Sequence, residues 1–213
     1  MTKKIIILGA GGMCIDILDT MNELGEYTCI GFLDDDKEKW NKTYHGVRVL
    51  GPLTKAKEFE DVYFVSGIGN ADNFLEKKDI IEKTGISPER FISIIHPTAS
   101  VSKMTSIGAG TVVLQHATIA SNAKIGNHVL IMANSVINHD VTVGDYTFVT
   151  AGACISGFVT IGQLCYVGTN ASIIGRVTIG KKVLIGMGSV VLKDIPSNSV
   201  YVGNPAKFLR ATK

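Results

Sequence analysis

The chain has 213 residues, a formal net charge of +2 and 19% charged residues. That is room for one domain or two small ones, with no broad basic face for nucleic acid. No apolar run approaches the ~20 residues that span a bilayer, and Met1-Thr2-Lys3-Lys4 ahead of Ile5-Ile6-Ile7-Leu8 reads as the start of a first strand, not a signal peptide. Cys14, Cys29, Cys154 and Cys165 lack metal-ligand spacing, so the expectation is a reduced, cytoplasmic protein without a metal site.

Residues 4–8 read as a buried strand, and Gly9-Ala10-Gly11-Gly12 follows at once. Residues 14–24 then carry a helical pattern through Ile15, Leu18 and Met21. A second strand over 28–33 ends in Asp34-Asp35-Asp36. This is the opening of a Rossmann-like βαβ unit. Its glycines let the chain pass close to a bound group, and the helix start behind them favours anionic oxygens. Gly9, Gly11 and Gly12 match the first part of a dinucleotide fingerprint, but Cys14 stands where the pattern's third glycine would. A nucleotide or nucleotide sugar therefore fits better than a whole NAD.

Residues 47–51 form a short strand, 54–60 a short helix and 62–67 another buried strand. Gly67-Ile68-Gly69-Asn70 lies at that strand's C-terminal end, where open α/β sheets bind ligands. Gly11, Gly12, Asp34, Asp35, Gly69 and Asn70 are thus the candidate substrate contacts. Asn70 would also cap a helix over 71–83 that Gly85 stops. Residues 91–95 are assigned to the small sheet, with His96-Pro97 as a hinge.

Beyond the hinge the period changes. From Val101 every sixth residue to Val191 is valine or isoleucine, sixteen in succession. The next position is often glycine, as at 108, 126, 144, 162, 168, 180 and 186, and the fifth is small or β-branched. Neither helix nor ordinary strand has this period. It predicts a three-sided solenoid of short strands, roughly five coils of about eighteen residues, with the first and fifth positions filling the tube. The glycines serve either unusual backbone angles or close approach.

One hexad differs: Ile137-Asn138-His139-Asp140-Val141-Thr142. Histidine takes and returns a proton near neutrality, and an adjacent carboxylate can fix its tautomer and stabilise the imidazolium. His116 and His128 lack an acidic neighbour. His139 is the candidate general base and Asp140 its orienting partner; the competing reading is a surface pair without chemistry.

The stretches Ile7-Leu8-Gly9-Ala10-Gly11-Gly12, Phe32-Leu33-Asp34-Asp35, Gly67-Ile68-Gly69-Asn70, Ile95-His96-Pro97-Thr98-Ala99, Asn138-His139-Asp140 and Val202-Gly203-Asn204-Pro205-Ala206-Lys207 resemble the bacterial sugar acyltransferases of the left-handed β-helix superfamily. The branch is that of sialic acid O-acetyltransferases and nucleotide-amino-sugar N-acetyltransferases. The resemblance covers nearly the whole chain. It implies an α/β Rossmann-like domain with a small parallel sheet over 1–96, then an all-β left-handed parallel β-helix with a C-terminal tail over 97–213.

It also implies a homotrimer with active sites between neighbouring subunits, acetyl-CoA along the groove between β-helices and the nucleotide on the N-terminal domain. On this chain Gly157 and Met187 would face the cofactor, with Asn204 and Pro205 near its adenine end. Phe148 stands nine residues after His139, where some relatives carry a second histidine, and would form a dry wall beside the acetyl group. The implied reaction is N-acetylation of a nucleotide-linked (UDP or dTDP) 4-amino-4,6-dideoxyhexose by direct attack, with His139 as general base. O-acetylation of a sialic acid is the nearest alternative; a non-catalytic sugar-binding or scaffold trimer is the alternative of another class.

Overall fold

Strand β1 (Lys3–Leu8) enters the core at once: Ile5 to Leu8 are fully buried in the computed structural model, which describes residues 2–212. A continuous apolar run suits a strand covered on both faces. Helix α1 (Gly12–Leu24) turns Cys14, Ile17, Leu18 and Met21 inward, the three-and-four spacing of one face. It begins at Gly12 rather than residue 14, with Gly11 as N-cap, and ends at Gly25 in the left-handed conformation. Strands β2 (Tyr27–Leu33), β3 (Thr43–Tyr44), β4 (Val47–Gly51) and β5 (Tyr63–Ser66) complete a sheet in the order β3-β4-β2-β1-β5. All its pairs are parallel except the β3–β4 hairpin. The chain leaves β1 on one side for β2 and returns on the other as β5, so a switch point opens beyond β1 and β5.

The helix expected over 71–83 is shorter. A 3-10 turn at Phe74–Glu76 leads into α2 (Lys77–Lys83), and Asn70 does not cap it. The Asn70 side chain accepts from the N–H groups of Asp72 and Asn73, and the Asn73 side chain accepts from the N–H of Asn70. Such local bonds hold a turn against helix. Gly85, at φ 63°, follows the end of α2 as expected.

The assignment of 91–95 to the small sheet is only half right. Phe91 bridges Phe64 there, but Ile94–Ile95 pairs with Val112–Val113 of the solenoid. Ile95 stands six residues before Val101 and extends the repeat backwards, so Pro97 lies in the first corner of the coil rather than in a hinge.

Each regular rung pairs with the one eighteen residues away, as Thr118–Ile119 does with Ser100–Val101 and Val136–Ile137. The rungs form three parallel faces, of six, five and eight strands, the last including a closing hairpin. First positions from Val113 to Val191 are buried in one core with Ala117, Ala153 and Cys165. The second-position glycines answer to close approach: a Cβ on Gly144 would lie 2.5 Å from the Gln163 nitrogen in the next coil, and none of the seven has positive φ. The left-handed residues stand two places later, as at His116, Asn134 and Asp140, with φ of 57°, 58° and 57°. The last coil is shorter, pairing Leu184 with Val200, and Ser199–Val202 with Lys207–Ala211 closes the end. Outward residues of the eight-stranded face, Val112, Leu130 and Phe148, share a core with Ile5, Ile17 and Met21. That face carries the N-terminal sheet domain.

Candidate active site

At the switch point lies a cavity of about 530 Å³, lined by the 9–14 loop, Asp34, Asp35, Lys39 and the 67–70 loop, and from the solenoid by Met132 and Tyr166. Its floor is the start of α1. The first helical bonds run from Cys14 and Ile15 to the Gly11 carbonyl, which leaves the N–H groups of Gly12 and Met13 for an anion. Space above the loop is open: a Cβ on Gly11 or Gly12 would meet nothing within 4 Å. Cys14 fills the wedge between Gly9 and Gly67, where a Cβ would come within 2.8 Å and 2.6 Å of its sulfur. Burial pushes that thiol up to about 12, so it packs and does not react.

Asp34 lines the cavity, but its carboxylate is already engaged. One oxygen accepts from the Ala10 N–H at 2.8 Å and from Lys39 Nζ at 2.9 Å, and the other from the Asp36 N–H. Its part is to hold the glycine loop and Lys39, so of the two expected acidic substrate contacts it is the one already occupied within the protein. Asp35 accepts from the Leu53 N–H through one oxygen and keeps the other. Lys39 was not singled out from the sequence. It follows Asp34 across a short 3-10 turn (Lys37–Lys39) that Asp36 caps, and that acid-capped turn is the signal that could have found it.

His139 and Asp140 occupy a solenoid corner, one coil below Asn122. His139 Nδ1 lies 2.9 Å from Asp140 Oδ2, and Asn122 Nδ2 donates to Asp140 Oδ1 at 3.2 Å. The left-handed backbone at Asp140 turns the two adjacent side chains toward each other, where an extended strand would send them to opposite faces. The hydrogen bond to His139, with a second from Asn122, holds the Asp140 carboxyl below the usual carboxylate range. An ionised carboxylate only accepts, so Nδ1 carries the proton and Nε2 presents its lone pair outward. His139 is 51% exposed, open to a reactant.

Gly157 lies directly beneath the ring: a Cβ there would come within 2.7 Å of His139 Cε1. Phe158 stands perpendicular to the imidazole, centroids 5.1 Å apart, and the Arg176 guanidinium lies 4.5 Å over the Phe158 ring. From Gly157 the corner continues one coil on through Gly175, again without a side chain, with Ile174 and Leu192 exposed beside it. It ends at a cavity of about 290 Å³ lined by Leu192, Tyr201, Pro205 and Ala206. Asn204 belongs to the same tail turn. Met187, 77% exposed, is on a different corner.

Phe148 does not face this groove. It is fully buried on the eight-stranded face, against Gly69, Tyr166 and the Lys77 ammonium 4.0 Å above its ring. The expectation of a wall beside the acetyl group is therefore corrected: its outward strand position is covered by the sheet domain. The structure brings Gly11, Gly12, Asp34, Asp35, Gly69 and Asn70 together around the larger cavity. Neither His139 nor Asp140 lines it.

Residues 4–84 match the model of the PglD N-terminal domain, and residues 122–157 that of the bacterial transferase hexapeptide (six repeats). The UDP-N-acetylbacillosamine N-acetyltransferase of Bacillus subtilis (strain 168) is 33% identical over 118 residues, 53% of this chain. The match spans about half (51%) of that relative's length. Among solved structures, the acetyltransferase domain of PglB from Neisseria gonorrhoeae FA1090 in complex with acetyl coenzyme A superposes with a TM-score of 0.88 at 28% identity, over 98% of this chain and 100% of that one. PerB from Caulobacter crescentus, in complex with CoA and GDP-perosamine, gives 0.86 at 26% identity over 99% of both chains.

Proposed function

We propose that the chain works as its relatives among the PglD-type hexapeptide-repeat sugar N-acetyltransferases do, moving an acetyl group from acetyl-CoA to the 4-amino group of a nucleotide-linked 4-amino-4,6-dideoxyhexose. The observation that carries the reading is the His139–Asp140 pair at 2.9 Å, with Nε2 free at the head of a corner stripped of side chains by Gly157 and Gly175. The relatives support the substrate class: one is named for a UDP-linked amino sugar, and PerB holds CoA with GDP-perosamine. The nucleotide belongs to the larger cavity, its phosphates at the Gly12 and Met13 N–H groups and its base or ribose toward Asp35 and Lys39. The groove along Gly157, Gly175 and Leu192 fits an extended, largely apolar arm, and the Pro205-lined cavity fits the arm's far end.

Acetyl-CoA supplies a thioester carbonyl open to attack by an amine. His139 Nε2 takes the amine proton as the C–N bond forms, and Asp140 stabilises the imidazolium. Coenzyme A leaves as the thiol. No residue needs to be acylated, since neither Ser156 nor Cys154 has an activating base among its hydrogen bonds. The base and the cavity occupy different corners of one chain, which supports the homotrimer that the resemblance implies, with one subunit's His139 meeting its neighbour's sugar. The proposed place of action is the cytoplasm.

The test is thiol release from acetyl-CoA with UDP-, dTDP- and GDP-linked 4-amino-4,6-dideoxy sugars, alongside free sialic acid. Turnover with a nucleotide amino sugar is expected, and His139→Ala should lose ~10²–10⁴-fold in turnover with substrate binding retained. Turnover with sialic acid alone, or a His139→Ala protein as fast as the wild type, would sink the reading.

A further inference from the structure

We propose that Asn122 and Phe158 are positioning residues that hold His139 in its reactive pose, an inference that rests on the acetyl-transfer reading. The base stands half-exposed on a corner, where an imidazole would ordinarily sample several rotamers. Three contacts oppose that freedom. Gly157 forms a floor under the ring. Asp140 ties Nδ1, and Asn122 ties the other oxygen of the same carboxylate. A carboxylate bonded through both oxygens to groups on successive coils cannot rotate without losing one of them, so Asn122 acts on His139 through Asp140.

Phe158 supplies the remaining restraint. It follows Asp140 by one full coil, and its ring meets the imidazole perpendicularly at 5.1 Å, an arrangement aromatic pairs favour. Its own ring lies under Arg176 at 4.5 Å. His139, Phe158 and Arg176 thus form a column in which each group limits the next. Phe158 is 45% exposed, so the hydrophobic core does not account for its placement. Nε2 is left as the one ring nitrogen facing outward.

The experiment compares Asn122→Ala, Phe158→Leu and Phe158→Tyr in the full-length protein. Asn122→Ala and Phe158→Leu should lose roughly 5–30-fold in kcat, with KM for the nucleotide sugar and for acetyl-CoA within about two-fold of wild type. Phe158→Tyr keeps the ring and should restore most of the rate, which a merely space-filling role would not require. In ¹⁵N-histidine spectra the wild type should show His139 as the Nδ1-protonated tautomer, with exchange between tautomers appearing in Asn122→Ala. Wild-type kcat in Asn122→Ala and Phe158→Leu would overturn the proposal, as would a loss confined to KM or a Phe158→Tyr protein no better than Phe158→Leu. If the wild-type protein acetylates none of the sugars, the function reading fails by itself. The tautomer spectra then decide: the same His139 spectrum in all variants overturns the positioning role.

Discussion

Lys77 is a cation that α2 turns into the protein. It is 1% exposed, its ammonium lies over the Phe148 ring, and no carboxylate pairs with it among the described residues. Burial pushes it down to about 7, against about 10.4 for a free lysine. Between those two values the unfolded chain holds the proton that the folded chain has given up, so stability rises with pH across that window. Below pH 7 both states are charged and the penalty is complete, relieved in part by the ring, worth about 2 kcal/mol when desolvated. Nearby His128 is pushed down to about 4 by burial and by the Lys77 charge, and by the same sign adds a rise between about 4 and 6.5. Lys77→Met should therefore raise stability at pH 6.5 by about 1–3 kcal/mol, with the gain shrinking toward pH 10. Chemical denaturation at the two pH values checks this; a gain that does not shrink would place its source in packing. Part of this was legible, because Phe74, Lys77 and Ile81 stand at helical spacing and share a face. The aromatic ring beneath comes from the solenoid, and no local pattern carries that pairing.

At the scale of the element, the six-residue repeat asks different things of its glycines. Gly144 has ordinary backbone angles, and a Cβ there would strike backbone atoms of Gly162 and Gln163 within 2.6 Å. Gly144→Ala must prise two coils apart and should cost about 1–3 kcal/mol. Gly188 stands at a corner with φ 66° and open space around it, where Asn134 and Asn170 occupy the equivalent turns. Gly188→Asn should stay within about 1 kcal/mol of wild type. Thermal melts of the two variants separate the roles, and equal losses would contradict the assignment. The contrast shows what the sequence made legible. The period named the inward residues correctly from Val113 to Val191, because each rung repeats the same burial. It left open which position turns left-handed, since His, Asn, Asp, Tyr and Phe all occur there. It also hid the first rung, where Pro97 interrupts the look of the repeat, although Ile95 and Ala99 keep it. Asn122 and Phe158 lie one coil on either side of Asp140, so stacking the sequence in eighteens would have brought them to the base. Phe148 went the other way: a role taken from the resemblance yielded to the burial of its face under the sheet domain.

For the molecule as a whole, the proposed acetyl transfer makes the separation of His139 from the larger cavity a condition on assembly. On that reading, a chain that presents a cavity at one corner and a base at another needs a second copy to bring the missing half, as closed symmetric assemblies do. Two variants make this measurable. His139→Ala removes the base and leaves the cavity intact. Gly11→Phe should block the cavity: Gly11 has φ −100° and open space beyond it, so the larger side chain would project into the position proposed for the nucleotide without straining the loop. Each variant alone should be inactive. Co-expressed in equal amounts, they should form mixed trimers, if the proposed assembly holds, in which a His139→Ala subunit offers a good cavity to the intact base of a Gly11→Phe neighbour. With random mixing about a quarter of the interfaces combine the two, so activity should return to about 25% of wild type. If each chain contained its own complete site, no mixed trimer would gain activity, because every subunit carries one defect. Recovery to about a quarter would make the interface, rather than the chain, the unit of catalysis.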